Sequence, residues 1–409
     1  MTWHIDGVGG GGGRTAVEFW KNTNIGLRGG WIDEHSSEPK EEGISDIEEE
    51  KNDTGYYIFT KEIANSEPDI EKGIGQRLDK GGGYDRRPEI LMTAFLEDKV
   101  RNIVSDGIVN KVFKGDLKPG KDYISVLFTV AFGGGTGTGI INPVTEILRR
   151  RTGLSIYALG ALTESKKYDE KNFPLARRCF NTAWALRNLL IKTRREGVDA
   201  VFLVDNDVLK GKREEKNKQI FKSLLPMLNP VKWDEGFIGT DLRDKLTGGI
   251  SMPQIIVPCY YAANNDMGVR ELLEHTVENK LMECDHTKAD SVIVFTSLLS
   301  LEEKEEIVKW VKEGTIEKGN EKISEEKIHV CRVWNSKREI LMLLRNPYGG
   351  ENDPFYNRLS DIINKAIEYV NSKSSEEKVN PDILEGFNKD FRTKLSDFII
   401  DRLIPDLEE

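Results

Sequence analysis

The sequence predicts an α/β protein whose larger part is a doubly wound parallel sheet, followed by a connecting helix, a second, smaller α/β domain and C-terminal helices. Three observations carry this prediction. Residues 123–132 (Tyr-Ile-Ser-Val-Leu-Phe-Thr-Val-Ala-Phe) form a nearly continuous apolar run, the pattern of a strand buried on both faces. Apolar runs alternate with amphipathic stretches, as repeated βα units require. At 409 residues the chain is too long for one simple core and suits two packed domains with an appendage.

The elements follow in chain order. A short strand over 3–6 runs into Gly7-Val-Gly-Gly-Gly-Gly-Gly13, and a helix is expected over 15–21. Residues 22–54 are rich in Glu, Asp, Gly and Ser without periodicity, so they read as a long, solvated acidic connection. A strand over 56–63 and a helix over 70–80 come next. A second glycine loop, Gly81-Gly-Gly-Tyr-Asp-Arg-Arg-Pro88, leads into a helix over 89–104, with Pro88 suited to its first turn. The buried strand 123–132 enters Gly133-Gly-Gly-Thr-Gly-Thr-Gly139 and then a helix over 141–150. Strands over 155–162 and 200–204 flank a helix over 175–195.

Beyond Asn206 a helix over 213–228 reaches a glycine-bearing loop at 236–249. Strands over 255–261, 291–297, 327–333 and 339–344 alternate with helices over 268–284 and 301–312. After Asn346-Pro-Tyr-Gly-Gly350 the chain reads as helical, over 355–371 and 381–403. The expected boundaries are 1–210 for the first domain, 211–230 for the connecting helix, 231–347 for the second domain and 348–409 for the extension. No repeat at solenoid periods is visible.

Composition excludes several classes. With 38% hydrophobic and 31% charged residues the chain is globular in character. A net charge of −10 without a basic cluster argues against nucleic acid as a partner. Four scattered cysteines without CxxC spacing read as reduced, buried thiols, which suits the cytoplasm. The opening residues lack the features of a secretory signal, and no apolar stretch reaches the roughly 18 residues of a membrane-spanning helix, so direct membrane insertion is not expected. The five histidines have no metal-ligand spacing, and neither a Walker Gly-Lys-Ser/Thr nor a Gly-x-Ser-x-Gly elbow occurs.

The chemistry concentrates in the glycine loops. Seven Gly and Thr residues between a buried strand and a helix make sense where backbone amides approach an anion closely. Phosphate fits, because N–H groups and a helix N-terminus offer positive charge without side-chain bulk. Gly133, Gly134, Gly135, Thr136, Gly137, Thr138 and Gly139 are therefore candidate phosphate contacts.

That heptapeptide resembles the signature of the tubulin/FtsZ superfamily, and the surrounding segments resemble it in order from residue 1 to about 345. The resemblance implies a GTP-binding cytoskeletal GTPase that takes GTP, GDP and Mg2+, and whose partner is itself in a head-to-tail polymer. Gly9, Gly10, Gly11 and Gly12, with Arg14, match the first nucleotide loop. Gly82, Gly83 and Arg87 match a loop facing the terminal phosphate, where Asp85 replaces a glycine and Arg87 an asparagine. Arg178 matches a basic position of the sugar-contact segment, in which Pro174 replaces a glutamate and Glu170 is a nearby substitute. Asn206 and Asn217 match the two guanine-reading asparagines, with Arg213 where an aromatic residue often stacks.

Residues 236–245 (Gly-Phe-Ile-Gly-Thr-Asp-Leu-Arg-Asp-Lys) resemble the catalytic loop that reaches the nucleotide of the next subunit. Asp241 and Asp244 fall on its acidic positions, and Gly239 stands in place of an asparagine. Carboxylates at that spacing on a helix share a face, where they can orient a water and a hydrated magnesium. No metal site built from side chains alone is expected, and Glu62 is only a loose match to a magnesium-side position. Two other readings stay open. One is a nucleotide-holding filament or scaffold with little or no hydrolysis. The other is an NAD-dependent oxidoreductase, because Gly7, Gly9 and Gly12 satisfy GxGxxG and Asp33 follows at about the required interval.

Overall fold

In the computed structural model of the chain, the described residues are 2–22, 27–33, 36–47, 54–66, 98–113, 123–165, 175–228, 239–263, 267–297, 300–314, 322–333, 337–347 and 353–373. Ten strands form one sheet in the order β3-β2-β1-β4-β5-β6-β7-β10-β8-β9. They are β1 (Thr2–Val8), β2 (Gly29–Asp33), β3 (Thr54–Ile58), β4 (Tyr123–Ala131), β5 (Ser155–Leu162), β6 (Ala200–Asp205), β7 (Gln254–Ala263), β8 (Ser291–Thr296), β9 (Ile328–Arg332) and β10 (Arg338–Arg345). From β3 through β7 every neighbouring pair is parallel. β10 runs antiparallel to both β7 and β8, and β9 lies parallel to β8.

Alternation along the strands builds two cores, one on each face. Val126, Phe128 and Val130 of β4 join Ile156 and Ala158 of β5 and Val201 and Leu203 of β6 on one side. Leu127, Tyr157, Leu159, Phe202 and Val204 point to the other. Strands buried on both faces explain why these segments read as continuous apolar runs. The first core is covered by α4 (Asp98–Gly107), α5 (Thr136–Arg151), α6 (Leu175–Ile191), α9 (Val269–Glu278), α10 (Leu301–Gly314) and α11 (Pro354–Lys373). The second is covered by α1 (Gly9–Asn22), α7 (Arg213–Leu228) and α8 (Gly239–Thr247). This is the doubly wound arrangement expected from the sequence. Both cores continue past β6 into β7, so the sheet is unbroken between the first and second halves of the chain. Helix α11 packs along α6, where Phe180 and Tyr369 meet with ring centroids 5.4 Å apart.

Three local differences from the sequence reading have physical causes. The acidic stretch contains a fully buried strand, β2, and a short helix α2 (Ser37–Glu41), because Trp31 and Ile32 each bury a large apolar side chain beside β1. Such burial contributes about 1.5–3 kcal/mol per side chain, enough to order a polar segment locally. The strand at residue 56 ends early, at Ile58, and the chain turns at once into α3 (Phe59–Ser66). Finally, α1 begins at Gly9 and α5 at Thr136, so most of the glycines expected in loops form first helical turns. The first-turn amides have no intrahelical partner, so glycine's poor propensity costs less there than in a helix interior. All four cysteines are buried free thiols, and burial pushes Cys179 up to about 11 and Cys259 and Cys331 up to about 12.

Candidate functional site

The order β3-β2-β1-β4-β5-β6 reverses direction between β1 and β4, and the glycine segments that follow these two strands meet at that point. In open α/β sheets the crevice beyond the strand ends at such a switch is where ligands bind. The approach is close: a Cβ on Gly9 would lie 2.6 Å from the Gly137 amide nitrogen, and Gly9 has a φ of +68°. A Cβ on Gly12 would strike the Thr129 carbonyl oxygen of β4. Gly10 and Gly11 occupy the first turn of α1 between these positions.

The N-terminus of α5 carries no side-chain cap, its N-cap being Gly135. First-turn amides without a capping side chain, on a helix of 16 residues, leave a positive end for an anion. The loop before it is held from below. Asn181 Nδ2 donates to the carbonyls of Gly133 and Gly134 at 3.1 and 3.2 Å, and Thr138 Oγ1 donates to the Phe132 carbonyl. Asn181, fully buried on α6, was not identified from the sequence, and an isolated asparagine in an apolar helix gives no signal that it will reach a loop 47 positions away.

Gly9→Ala is expected to cost about 2–4 kcal/mol, combining backbone strain at positive φ with the collision at Gly137. Urea unfolding measures this, and a midpoint unchanged from the parent would contradict the cradle.

Arg14 is turned toward α2. Its Nη1 lies 3.1 Å from Glu38 Oε2 and its Nε 3.3 Å from Glu42 Oε1. The Glu38 carboxylate lies against Gly10, in the space a Cβ there would occupy. The sequence reading treated this acidic stretch as solvated and missed Glu38.

Asn206 and Asn217 come to neighbouring positions. Asn206, just after β6, donates from Nδ2 to the Leu162 carbonyl at 2.8 Å, and its own carbonyl accepts from Lys216 Nζ at 2.5 Å. Lys216 also pairs with Glu164 after β5. Asn217 is buried on α7, where its Oδ1 accepts from Thr15 of α1 at 3.1 Å. Arg178, buried on α6, donates from Nη1 to the Glu164 carbonyl at 3.2 Å. Arg213 is exposed at the start of α7.

A second residue invisible in the sequence is Arg358 of α11. Its Nε donates to Asp205 at 2.6 Å, and its Nη2 reaches the Thr163 carbonyl at 2.6 Å and Asp207 at 3.0 Å. Hydrogen bonds to Asp205 hold this guanidinium above its ordinary pKa despite burial. The helix thus ties together the chain segments that follow β5 and β6.

Helix α8, with Asp241 and Asp244, lies toward the opposite end of the strands. Arg243 of α8 binds Asp199, the residue before β6, while Asn206 follows the far end of that strand. Six residues at roughly 3.3 Å each place about 20 Å between the two ends. Asp244 is exposed on α8, and Asp241 lies on the same helix with its side chain outside the described residues. Gly82, Gly83, Arg87, Asp85, Glu170 and Pro174 also lie outside the described residues, as does the side chain of Glu62. Asp33, which the dinucleotide reading needs, ends β2 and is buried, with its Oδ2 accepting from Trp31 Nε1 at 2.8 Å. Among the described residues no group of three or more His, Cys, Asp or Glu is placed to hold a metal ion, and no helix is long and apolar enough to cross a membrane.

No protein-family model matches the chain, and neither does any curated protein sequence. Solved structures do match. CetZ2 from Haloferax volcanii, a GTPγS-bound protofilament, superposes with a TM-score of 0.63 at 17% identity over 91% of this chain and 100% of that one. An empty FtsZ dimer from M. jannaschii gives 0.56 at 16% identity over 84% and 88% of the two chains. TubZ from Clostridium botulinum phage c-st gives 0.54 at 12% identity over 90% and 98%. At these identities the likeness is one of fold.

Proposed function

We propose that this chain, built on the tubulin/FtsZ superfamily fold, is a cytoskeletal GTPase that binds GTP at the β1–β4 switch point. It hydrolyses the nucleotide at a site completed by the next copy in a head-to-tail protofilament. The observation that carries the reading is the separation of the parts. An uncapped, glycine-flanked helix N-terminus follows the C-terminal end of β4, whereas α8 is tied by Arg243 to the residue before β6, so the two lie toward opposite ends of strands that, for the six residues of β6, are about 20 Å long. In this reading α8 therefore serves the nucleotide of another molecule rather than its own. The GTPγS-bound protofilament of CetZ2 and the GDP-bound monomer of CetZ1 from Haloferax volcanii support guanine as the base and self-association as the context.

In this reading Gly9 to Gly12 and the amides from Gly133 to Gly139 hold the phosphates, and Asn206 and Asn217 read the guanine edge. Lys216 and Arg358 keep the base-reading segments in register. Arg178 lies under the ribose side. Asp241 and Asp244 of the neighbouring copy orient the attacking water toward the terminal phosphate. Mg2+ would enter with the nucleotide, and Asp241 and Asp244 of the neighbouring copy are the residues that would face it, where it would neutralise phosphate charge.

The test is GTP turnover per molecule against protein concentration, with electron microscopy of samples in GTP and in GDP. Turnover that rises with concentration alongside GTP-dependent filaments is the expected result. Turnover independent of concentration would overturn the shared site. A second reading, a filament that holds nucleotide with little hydrolysis, draws on the Glu38 carboxylate beside Gly10, and it predicts filaments with GTP but negligible phosphate release.

A further inference from the structure

Immediately before β6, Asp199 is a carboxylate with no accessible surface and four donors. Its Oδ2 accepts from Arg149 Nη2 at 2.6 Å and from the Ile156 amide at 2.8 Å. Its Oδ1 accepts from Arg243 Nε at 2.7 Å and Arg194 Nε at 3.2 Å. A carboxylate offers about four lone-pair directions, so this one is saturated and its orientation is fixed.

Each arginine brings a different segment. Arg149 comes from α5, and it also binds the Gly197 and Leu154 carbonyls at 2.9 and 2.8 Å. Arg194 comes from the turn after α6 and donates to the Ile250 carbonyl at 2.8 Å, just beyond α8. Arg243 comes from α8 itself, between Asp241 and Asp244.

A nine-residue helix is marginal by itself, so its pose is set by what it touches. Leu242 and Leu246 are buried in the core against Leu127, Tyr157 and Phe202, which sets the depth of α8. Apolar contacts permit sliding and rotation, and a directed ion pair does not. With Arg243 fixed on Asp199, the next residue, Asp244, turns by about 100° to the exposed side. The same hub holds the chain on both sides of the Gly248 and Gly249 turn.

We propose that Asp199 is a positioning residue for hydrolysis: through Arg243 it fixes the pose in which α8 presents Asp241 and Asp244 to the neighbouring copy. This rests on the hydrolytic reading above. Three cations on one buried anion exceed what joining two segments requires, and the arginine from α8 is the outermost of them, with 28% of its side chain exposed. It can therefore be removed while Asp199 keeps Arg149 and Arg194.

The experiment uses the full chain with Arg243→Ala and Arg243→Lys. In dilute protein, Arg243→Ala is expected to leave GTP affinity unchanged and to speed hydrogen exchange across 239–247 by about tenfold or more, while 136–151 keeps its protection. In assembled protein, turnover per subunit is expected to fall by about 100-fold with KM for GTP unchanged, because a misplacement of about 1 Å is costly to catalysis. Arg243→Lys, which keeps the charge but loses the planar fork, is expected to recover part of the rate. Unchanged exchange in 239–247, or a parent rate in Arg243→Ala, would overturn the inference alone. A parent chain without concentration-dependent turnover would overturn the hydrolytic reading and the inference that rests on it, and the exchange data would still report whether the tether exists.

Discussion

Asp199→Ala is expected to lower folding stability by about 3–5 kcal/mol, the cost of leaving buried charge uncompensated. Arg149 is the reason the effect is large. Its side chain is 6% exposed, and without Asp199 its guanidinium keeps only the carbonyls of Gly197 and Leu154. Burial already disfavours its charged form, and the Asp199 carboxylate is the main influence opposing that cost. Arg194 and Arg243 are better placed to turn toward solvent, with 12% and 28% of their side chains exposed, so the loss concentrates on α5 and the strand starts. Urea unfolding followed by circular dichroism measures the change. A loss below about 1 kcal/mol, the range of an exposed ion pair, would mean that the cluster is a surface arrangement.

How much of this was legible in the sequence depends on the range of the interaction. The strand over 155–162 coincides with β5, because continuous apolar residues between breakers state burial on both faces without reference to any partner. The glycine-rich junction between β4 and α5 was legible for the same reason, since glycine and threonine between a buried strand and a helix are a local pattern. Strand β2 was not. Its five residues include two glycines in a polar stretch, and its place is decided by the parallel partners β1 and β3 and by the burial of Trp31. The start of α1 was misplaced because propensity counts five glycines as a loop, whereas close approach to β4 and Trp31 admits only glycine there.

The supporting side chains were illegible altogether. Asn181, Asp199 and Arg358 reach groups as far as 48, 50 and 195 positions away, and no spacing rule announces such pairings. Asn181 and Arg358 hold the segments around the candidate site, and Asp199 holds α8 at the other end of the strands. Reading a motif therefore locates chemistry, while the precision of that chemistry is stored in contacts that only the fold brings together.

Asp241→Ala is expected to leave GTP binding by dilute protein unchanged and to lower turnover in assembled protein by about 10²–10⁴-fold, the usual contribution of a group that manages the attacking water. The two halves of the expectation have one origin. Asp241 belongs to α8, anchored at the start of β6, whereas the proposed phosphate cradle is the pair of glycine segments that follow β1 and β4. In the proposed arrangement the carboxylate serves the neighbouring copy's nucleotide, so a subunit's own affinity has no reason to change. Mixing distinguishes this arrangement from any site contained in one molecule. The Gly9→Ala variant has a damaged cradle but an intact α8, and Asp241→Ala has the reverse. Where the nucleotide of an Asp241→Ala subunit meets the α8 of a Gly9→Ala subunit, a complete site forms. Two proteins that are each nearly inactive should therefore regain turnover when combined, toward a limit set by the fraction of such mixed contacts. Additive, unrescued rates in the mixture, measured by phosphate release at fixed total concentration, would place cradle and carboxylate in the same molecule, contrary to the spacing across the sheet.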